Sequence, residues 1–279
     1  MKPEDKLPED AASLVTAALA GGRAVLAVYA TDFAVETKSD DSPVSQADRD
    51  AEAIILAHLA ERFRDVPVVA EEMASEGRIP DCGKRFFLVD PLDGTKEFIR
   101  RNGEFTVNIG LIEHGVPVGG VVLAPALKRL FVGWRGEAWS GHTDDGNTRI
   151  TDLAPIHTGK SAAQPVAVAS RSHITPETER MLEAVSAGER RSIGSSLKLC
   201  LVAEADADFY PRMGPTMEWD TAAGDAVLRA AGGSVVTVDG AALAYGKRDA
   251  AGMRPFENPF FIATGDRALI DRALTGAAA

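Results

Sequence analysis

Cysteine is scarce: the 279 residues include 2, Cys82 and Cys200, and neither lies in a Cys-x-x-Cys pair. That excludes a disulfide framework and fits a reducing cytoplasm. Basic charge is also short, with 30 Lys and Arg against 41 Asp and Glu and a net charge of -11. A polyanion binder shows the opposite balance, because each phosphate contact needs a cation. Nucleic acid polymers are therefore not expected as partners, whereas a small phosphate ester is compatible if metal ions supply positive charge locally. A long unbroken apolar run is missing too. The stretch 11–30 is interrupted by Gly21, Gly22 and Arg23, and it follows a polar, acidic start, Met1-Lys2-Pro3-Glu4-Asp5-Lys6. No integral membrane segment or secretory leader is expected. The expectation is a cytoplasmic protein, with peripheral contact at the inner membrane face left open. There is no internal repeat and no low-complexity tract.

What is present is an ordinary globular composition, 45% hydrophobic and 25% charged, long enough for one large domain or two small ones sharing a core. Leu14, Ala18, Val25 and Tyr29 mark one helical face, and Ile54, Ile55, Leu59 and Phe63 another. Residues 37–45 between them read as a loop. Short strands at 66–70 and 86–89 lead into Glu71-Glu72 and Asp90. Apolar runs over 105–139, broken by Gly and Pro, predict an antiparallel meander, and 144–160 a polar connector. The rest alternates: strands at 166–169, 209–210, 234–238 and 260–263, with helices at 176–185, 197–204, 221–231 and 266–274.

The acidic residues gather at element junctions, where a rigid scaffold presents side chains to a cleft. Glu71 and Glu72 end one strand. Asp90 and Asp93 end another, followed by Gly94-Thr95, and Asp220 opens an Ala-rich helix. Between the two aspartates Pro91 stiffens the turn, which can aim both carboxylates and the Leu92 carbonyl at one point. Hard oxygen donors of this kind suit Mg²⁺. Gly94 allows close backbone approach, and the helix start after it favours a phosphate. Each feature has a plainer reading when taken alone. Asp-Gly-Thr is a common turn with a helix cap, Glu71-Glu72 a solvated strand end, and Asp220 an N-cap.

Taken together, Val69-Ala70-Glu71-Glu72, Asp90-Pro91-Leu92-Asp93-Gly94-Thr95 and Trp219-Asp220-Thr221-Ala222-Ala223-Gly224 resemble the signature set of the inositol-monophosphatase-like superfamily, in order and across nearly the whole chain. The resemblance implies an α+β fold, a layered αβαβα sandwich of the inositol-monophosphatase and sugar-phosphatase type with two sheet-containing halves. It implies one catalytic unit over 1–279. Residues 1–150 would carry most metal ligands, and 151–279 the substrate-binding residues and Asp220. It also implies two or three Mg²⁺ ions held by Glu71, Asp90, Asp93, the Leu92 carbonyl and Asp220, in the logic of two-metal activation of water. Asp48, in Ser45-Gln46-Ala47-Asp48, and Thr95 would be the water activators; without the resemblance, Asp48 reads as a solvated helix residue.

Within the superfamily, Asp93-Gly94-Thr95-Lys96-Glu97-Phe98, Ser170-Arg171-Ser172-His173, Gly194-Ser195-Ser196-Leu197-Lys198 and Tyr210-Pro211-Arg212 look like the 3'(2'),5'-bisphosphate nucleotidases of the CysQ type. Inositol monophosphatases usually carry a different pair after Asp-Gly-Thr. The implied substrate is a small phosphorylated nucleotide, adenosine 3',5'-bisphosphate or a related sulfated nucleotide. Gly94, Thr95, His173, Ser195, Lys198 and Arg212 would bind it. A second phosphate needs its own cations and hydroxyl donors. The plainer readings are a solvated helix residue for Lys198, a loop charge for Arg212 and a turn residue for His173. Two rival functions stay open: an inositol monophosphatase or fructose-1,6-bisphosphatase-type phosphatase, and a non-catalytic nucleotide-binding regulator. Monomer and homodimer are equally open.

Overall fold

The computed structural model describes residues 2–31, 35–37, 43–169, 174–249 and 252–277. The chain opens with α1 (Glu9–Tyr29), a hairpin of β1 (Val35–Thr37) and β2 (Pro43–Ser45), and α2 (Gln46–Arg62). Next come β3 (Val68–Ala70), α3 (Glu71–Ser75), β4 (Arg85–Asp93) and α4 (Thr95–Ile99). A meander follows: β5 (Thr106–Glu113), β6 (Val116–Ala124), β7 (Arg129–Trp134), β8 (Glu137–Thr143) and β9 (Ile150–Pro155). From β3 to β9 these strands form one sheet in sequence order, parallel at β3/β4 and antiparallel elsewhere.

The second half adds β10 (Val166–Ala169), α5 (Pro176–Ala184), β11 (Glu189–Ser192), α6 (Leu197–Ala203), β12 (Phe209–Arg212), α7 (Glu218–Ala230), β13 (Ser234–Thr237), β14 (Phe261–Thr264) and α8 (Arg267–Ala277). Its sheet runs β11-β10-β12-β14-β13 and mixes parallel with antiparallel pairs. Helices α1 and α2 cover one face of the first sheet. Helices α6 and α7 lie between the sheets, and α5 and α8 cover the outer face of the second. The fold is thus the layered αβαβα sandwich.

Several local expectations need correction. Pro43–Ser45, read as loop, pairs with β1. The connector at 144–160 contains β9, an edge strand with most side chains exposed, so it lacks an apolar signal. Strand β11 was not anticipated because Glu-Arg-Arg-Ser at the sheet edge has no apolar residue to show. Helix α7 starts three residues before the expected position. The interruptions at Gly21 and Gly22 do not break α1, which is apolar enough to cross a membrane by length and composition, with mean hydropathy 1.7. It packs instead as a core helix, with Leu14, Ala18 and Val25 wholly buried. At Gly21 a Cβ would stand 2.8 Å from Ile55 of α2, so the glycine allows close helix approach.

The middle layer rests on the first sheet in an unusual way. Gly110, Gly120 and Gly133 are cross-strand neighbours on β5, β6 and β7. A Cβ on them would stand 2.8 Å from the Ala222 Cβ, 2.5 Å from the Ala223 carbonyl oxygen and 2.6 Å from the Ala226 carbonyl oxygen. The small residues of α7 therefore lie in a glycine track, main chain close to main chain. Gly120→Val should force the two apart and cost about 3 kcal/mol or more, the upper range for overpacking. Urea unfolding checks this; an unchanged midpoint would show that the helix can lift without penalty.

Candidate active site

The register between β4 and β5 explains how one short run aims two carboxylates. Asp90 pairs with Asn108, but Asp93 pairs with Thr106, so β4 carries one extra residue at Pro91-Leu92. Such a bulge bends the strand and re-aims its side chains. The Leu92 amide donates to Asp90 Oδ1 at 3.0 Å, fixing the turn. Gly94 follows with φ of 92°, the left-handed region that favours glycine. A Cβ there would lie 3.2 Å from the Glu104 carbonyl oxygen. Thr95 opens α4, and its hydroxyl lies 3.5 Å from the Leu92 carbonyl oxygen.

Glu71 begins α3 instead of ending a strand. Its position is set by buried Glu52 on α2, which accepts from the Glu72 amide at 2.8 Å and the Met73 amide at 3.1 Å. Asp48 is buried in the first turn of α2, just after β2, which packs against α4. Asp220 lies in the first turn of α7 and accepts from the Met217 amide at 2.8 Å. One of its oxygens thus has the capping role foreseen as the plainer reading.

Ser196 joins these parts. Its amide and hydroxyl meet Asp93 Oδ2 at 2.6 and 2.9 Å, and the hydroxyl also reaches the Asp220 carbonyl oxygen at 2.5 Å. Asn108 donates to the same hydroxyl at 3.0 Å. Ser196 and Asn108 are the site residues that sequence reasoning missed. Ser196 lies within Gly194-Ser195-Ser196-Leu197-Lys198, where the resemblance points to Ser195 as the binding residue, and Asn108 lies inside an apolar strand run that hides it. The loop that carries Ser196 is anchored through the Gly194 amide, which donates to Glu104 at 2.9 Å.

Electrostatics tie the acids into one group. Burial, followed by the carboxylates of Glu71, Asp93, Asp220 and Asp48, holds Asp90 well above the usual carboxylate range. Burial, then Asp93 and Glu71, also raises Asp220, while the Met217 amide and Arg212 oppose the shift. Among the described residues no three acidic, His or Cys side chains stand in ligating geometry around one point. The donor set nevertheless fits hard divalent cations: oxygen ligands only, mutually repelling, with Asp90 almost wholly buried. Asp93 and Asp220 each engage one carboxylate oxygen, and the second makes no hydrogen bond among the described residues.

The sequence pattern of the Inositol monophosphatase family matches residues 7–264. The chain belongs to that family. Among curated relatives, the 3'(2'),5'-bisphosphate nucleotidase CysQ of Salmonella typhimurium (strain LT2) is 44% identical over 246 residues, 87% of this chain and 94% of the relative. The protein of the same name from Escherichia coli (strain K12) is 43% identical over 86% of this chain and 93% of its own. Among solved structures, CysQ from Bacteroides thetaiotaomicron, a bacterial member of the family, has a TM-score of 0.76 and 39% identity, covering 92% of this chain and 97% of that one. An inositol monophosphatase from Zymomonas mobilis, at 22% identity and TM-score 0.75, covers 97% and 98% and shares the fold.

Lys198 is buried, not solvated, and its ammonium donates to the Ile193 carbonyl at 3.2 Å and the Ser195 carbonyl at 2.5 Å. Burial lowers it to about 8, against the pull of Asp93. Arg212 is half-buried, donates to the Gly214 and Pro215 carbonyls at 3.3 and 2.8 Å, and adds to the lowering of Lys198. These two cations therefore neighbour each other beside Asp93. Ser195 sits on the same loop with φ of 49°. His173 and the run 170–173 lie outside the described residues.

The raised acids give a signed pH effect. Unfolded, Asp90 and Asp220 ionise near the usual aspartate value, about 3.9; folded, they ionise higher. Their contribution to stability is therefore full below that value and is lost as pH rises through the folded values. Bound Mg²⁺ should offset the loss. The gain in Tm on adding Mg²⁺ to chelated protein is expected to grow as pH rises above the usual aspartate value, about 3.9. A gain that does not vary with pH would separate these acids from metal binding.

Proposed function

We propose that the chain is a Mg²⁺-dependent 3'(2'),5'-bisphosphate nucleotidase, hydrolysing the 3'-phosphate of adenosine 3',5'-bisphosphate to AMP and phosphate. The observation that carries the reading is the carboxylate group of Glu71, Asp90, Asp93 and Asp220 with two cations, Lys198 and Arg212, beside it. The relatives named above, 43–44% identical over most of the chain, support the nucleotide as substrate. Glu71, Asp90, Asp93, Asp220 and the Leu92 carbonyl would hold two or three Mg²⁺ ions. Such ions supply charge neutralisation and lower the pKa of an attacking water.

The chain's own residues do the rest. Water oxygen bonds to phosphorus, the bond to the 3' oxygen breaks, and that oxygen takes up a proton from a solvent water, the proton left on Asp48 returning to solvent. Thr95 accepts the proton of the attacking water and passes its own to Asp48. Its 3.5 Å contact with Leu92 is at the limit of a hydrogen bond, so the hydroxyl turns at little cost. Gly94 and Ser195 bring backbone and hydroxyl to the ester. The 5'-phosphate, with a charge near -2 at neutral pH by about the usual phosphomonoester values, lies toward Lys198 and Arg212, and the resemblance alone adds His173 to the nucleotide-binding set. The halves 1–150 and 151–279 act as one catalytic unit, since Ser196 of the second holds Asp93 of the first. The setting is a cytoplasmic enzyme.

Phosphate release from adenosine 3',5'-bisphosphate, inositol 1-phosphate and fructose 1,6-bisphosphate in Mg²⁺ tests the reading. Outright preference for either of the latter two overturns it, and nucleotide binding without turnover favours a regulator. Lys198→Met should lower kcat/KM for the bisphosphate by roughly one to two decades, the worth of a charge-assisted contact. Inositol 1-phosphate should lose much less. An equal loss for both substrates would reduce Lys198 to a brace for the Ile193 to Ser195 loop.

A further inference from the structure

A second cavity, about 280 Å³ in volume, lies at the opposite end of β4 from the carboxylates. It is bounded by the start of that strand, the β5–β6 turn and the segment 245–248. Phe86 in its wall precedes Asp90 by four residues, about 13 Å along a strand, so the cavity is separate from the metal cleft.

Its charge is out of keeping with an acidic protein. Lys84, His114 and Arg248 all line it, and among the described residues none of the three has a carboxylate partner. The acid in the lining is Asp81, whose carboxylate meets the Gly83 amide at 3.5 Å. Arg248 is held in place by neutral groups, donating to the Pro80 carbonyl and, at 3.2 Å, to the Cys82 sulfur. The His114 amide donates to the Lys84 carbonyl at 2.7 Å, which keeps those two side chains at one rim.

The opposite wall is rigid. The Tyr245 hydroxyl donates to buried Asp225 at 2.9 Å. The Gly246 and Lys247 amides donate to buried Glu218 at 2.5 and 2.9 Å, and the Lys247 ammonium pairs with Glu218 at 2.6 Å. Lys247 is thereby neutralised, whereas Lys84 and Arg248 at the cavity are not. Two unpaired cations, Lys84 and Arg248, lining one hollow with an imidazole beside them, in a chain of net charge -11, call for an anion.

We propose that this cavity binds a phosphate-type oxyanion, either free phosphate or the phosphate of a nucleotide. Lysine supplies point charge, arginine a planar fork, and the imidazole a further N–H donor.

Isothermal titration of the full chain with inorganic phosphate in chelator tests it, because the metal-free carboxylate cleft repels anions. One phosphate per chain is expected. Lys84→Glu, at an exposed position, should weaken it about tenfold or more, with circular dichroism confirming the fold. Arg212→Ala, in the cleft, should leave it unchanged. Absence of binding at millimolar phosphate overturns the proposal. So does binding that survives Lys84→Glu but is lost in Arg212→Ala, which places the ion in the cleft. Competition by AMP at the Lys84-dependent site makes a nucleotide the occupant, and lack of competition makes it free phosphate; either supports the site.

Discussion

Asp93→Asn is expected to lower kcat at least ~10³-fold, about 4 kcal/mol of activation free energy, while the protein stays folded. Asparagine keeps the size of the side chain, and its carbonyl oxygen can still accept from the amide and hydroxyl of Ser196, which hold Asp93 at 2.6 and 2.9 Å. What it removes is one negative charge from a crowded group in which Asp93 raises both Asp90 and Asp220. In chelator the variant should therefore be at least as stable as the parent, and its stability gain from Mg²⁺ should shrink. Combining kcat with Mg²⁺-dependent Tm separates a lost ligand from a damaged fold. A folded Asp93→Asn protein with near-normal turnover would remove Asp93 from the ligand set.

Thr95→Ala should lower kcat by ~10²–10⁴-fold, the usual worth of a general-base relay, with little change in KM. The alanine keeps α4 and the bulge, whose own bond runs from the Leu92 amide to Asp90. Only the hydroxyl near the Leu92 carbonyl is lost. Steady-state kinetics on the bisphosphate decide: a rise in KM at constant kcat would make Thr95 a binding residue alone.

How much of this was legible in the sequence follows from where each signal comes from. The acids of Glu71, Asp90, Asp93 and Asp220 stand in short runs with Pro, Gly and Trp beside them, and the fold brings those runs together as expected. The central strands announced themselves by apolar runs because both faces of the sheet are covered by helices. Strands β9 and β11 did not, because their pairing is made by main-chain groups while most of their side chains face water. Ser196 was illegible as a link because its partners lie 103 and 24 residues away. The depth of Lys198 is not legible, since charge in a sequence gives no measure of burial; its carbonyl partners on the preceding loop allow it to lie inside.

The glycine track sets a limit on how the site can vary. Asp90 pairs with Asn108 on β5, two residues from Gly110, and Asp220 stands two residues before Ala222, which Gly110 meets. The gap between the two aspartates is thus gauged by contacting main chains, whose radii do not change from one sequence to another. Exchanging a leucine for an isoleucine elsewhere in the core can alter stability without altering that gauge. The spacing of the acids therefore depends on the glycine track and is insulated from changes in the outer layers and the substrate loops.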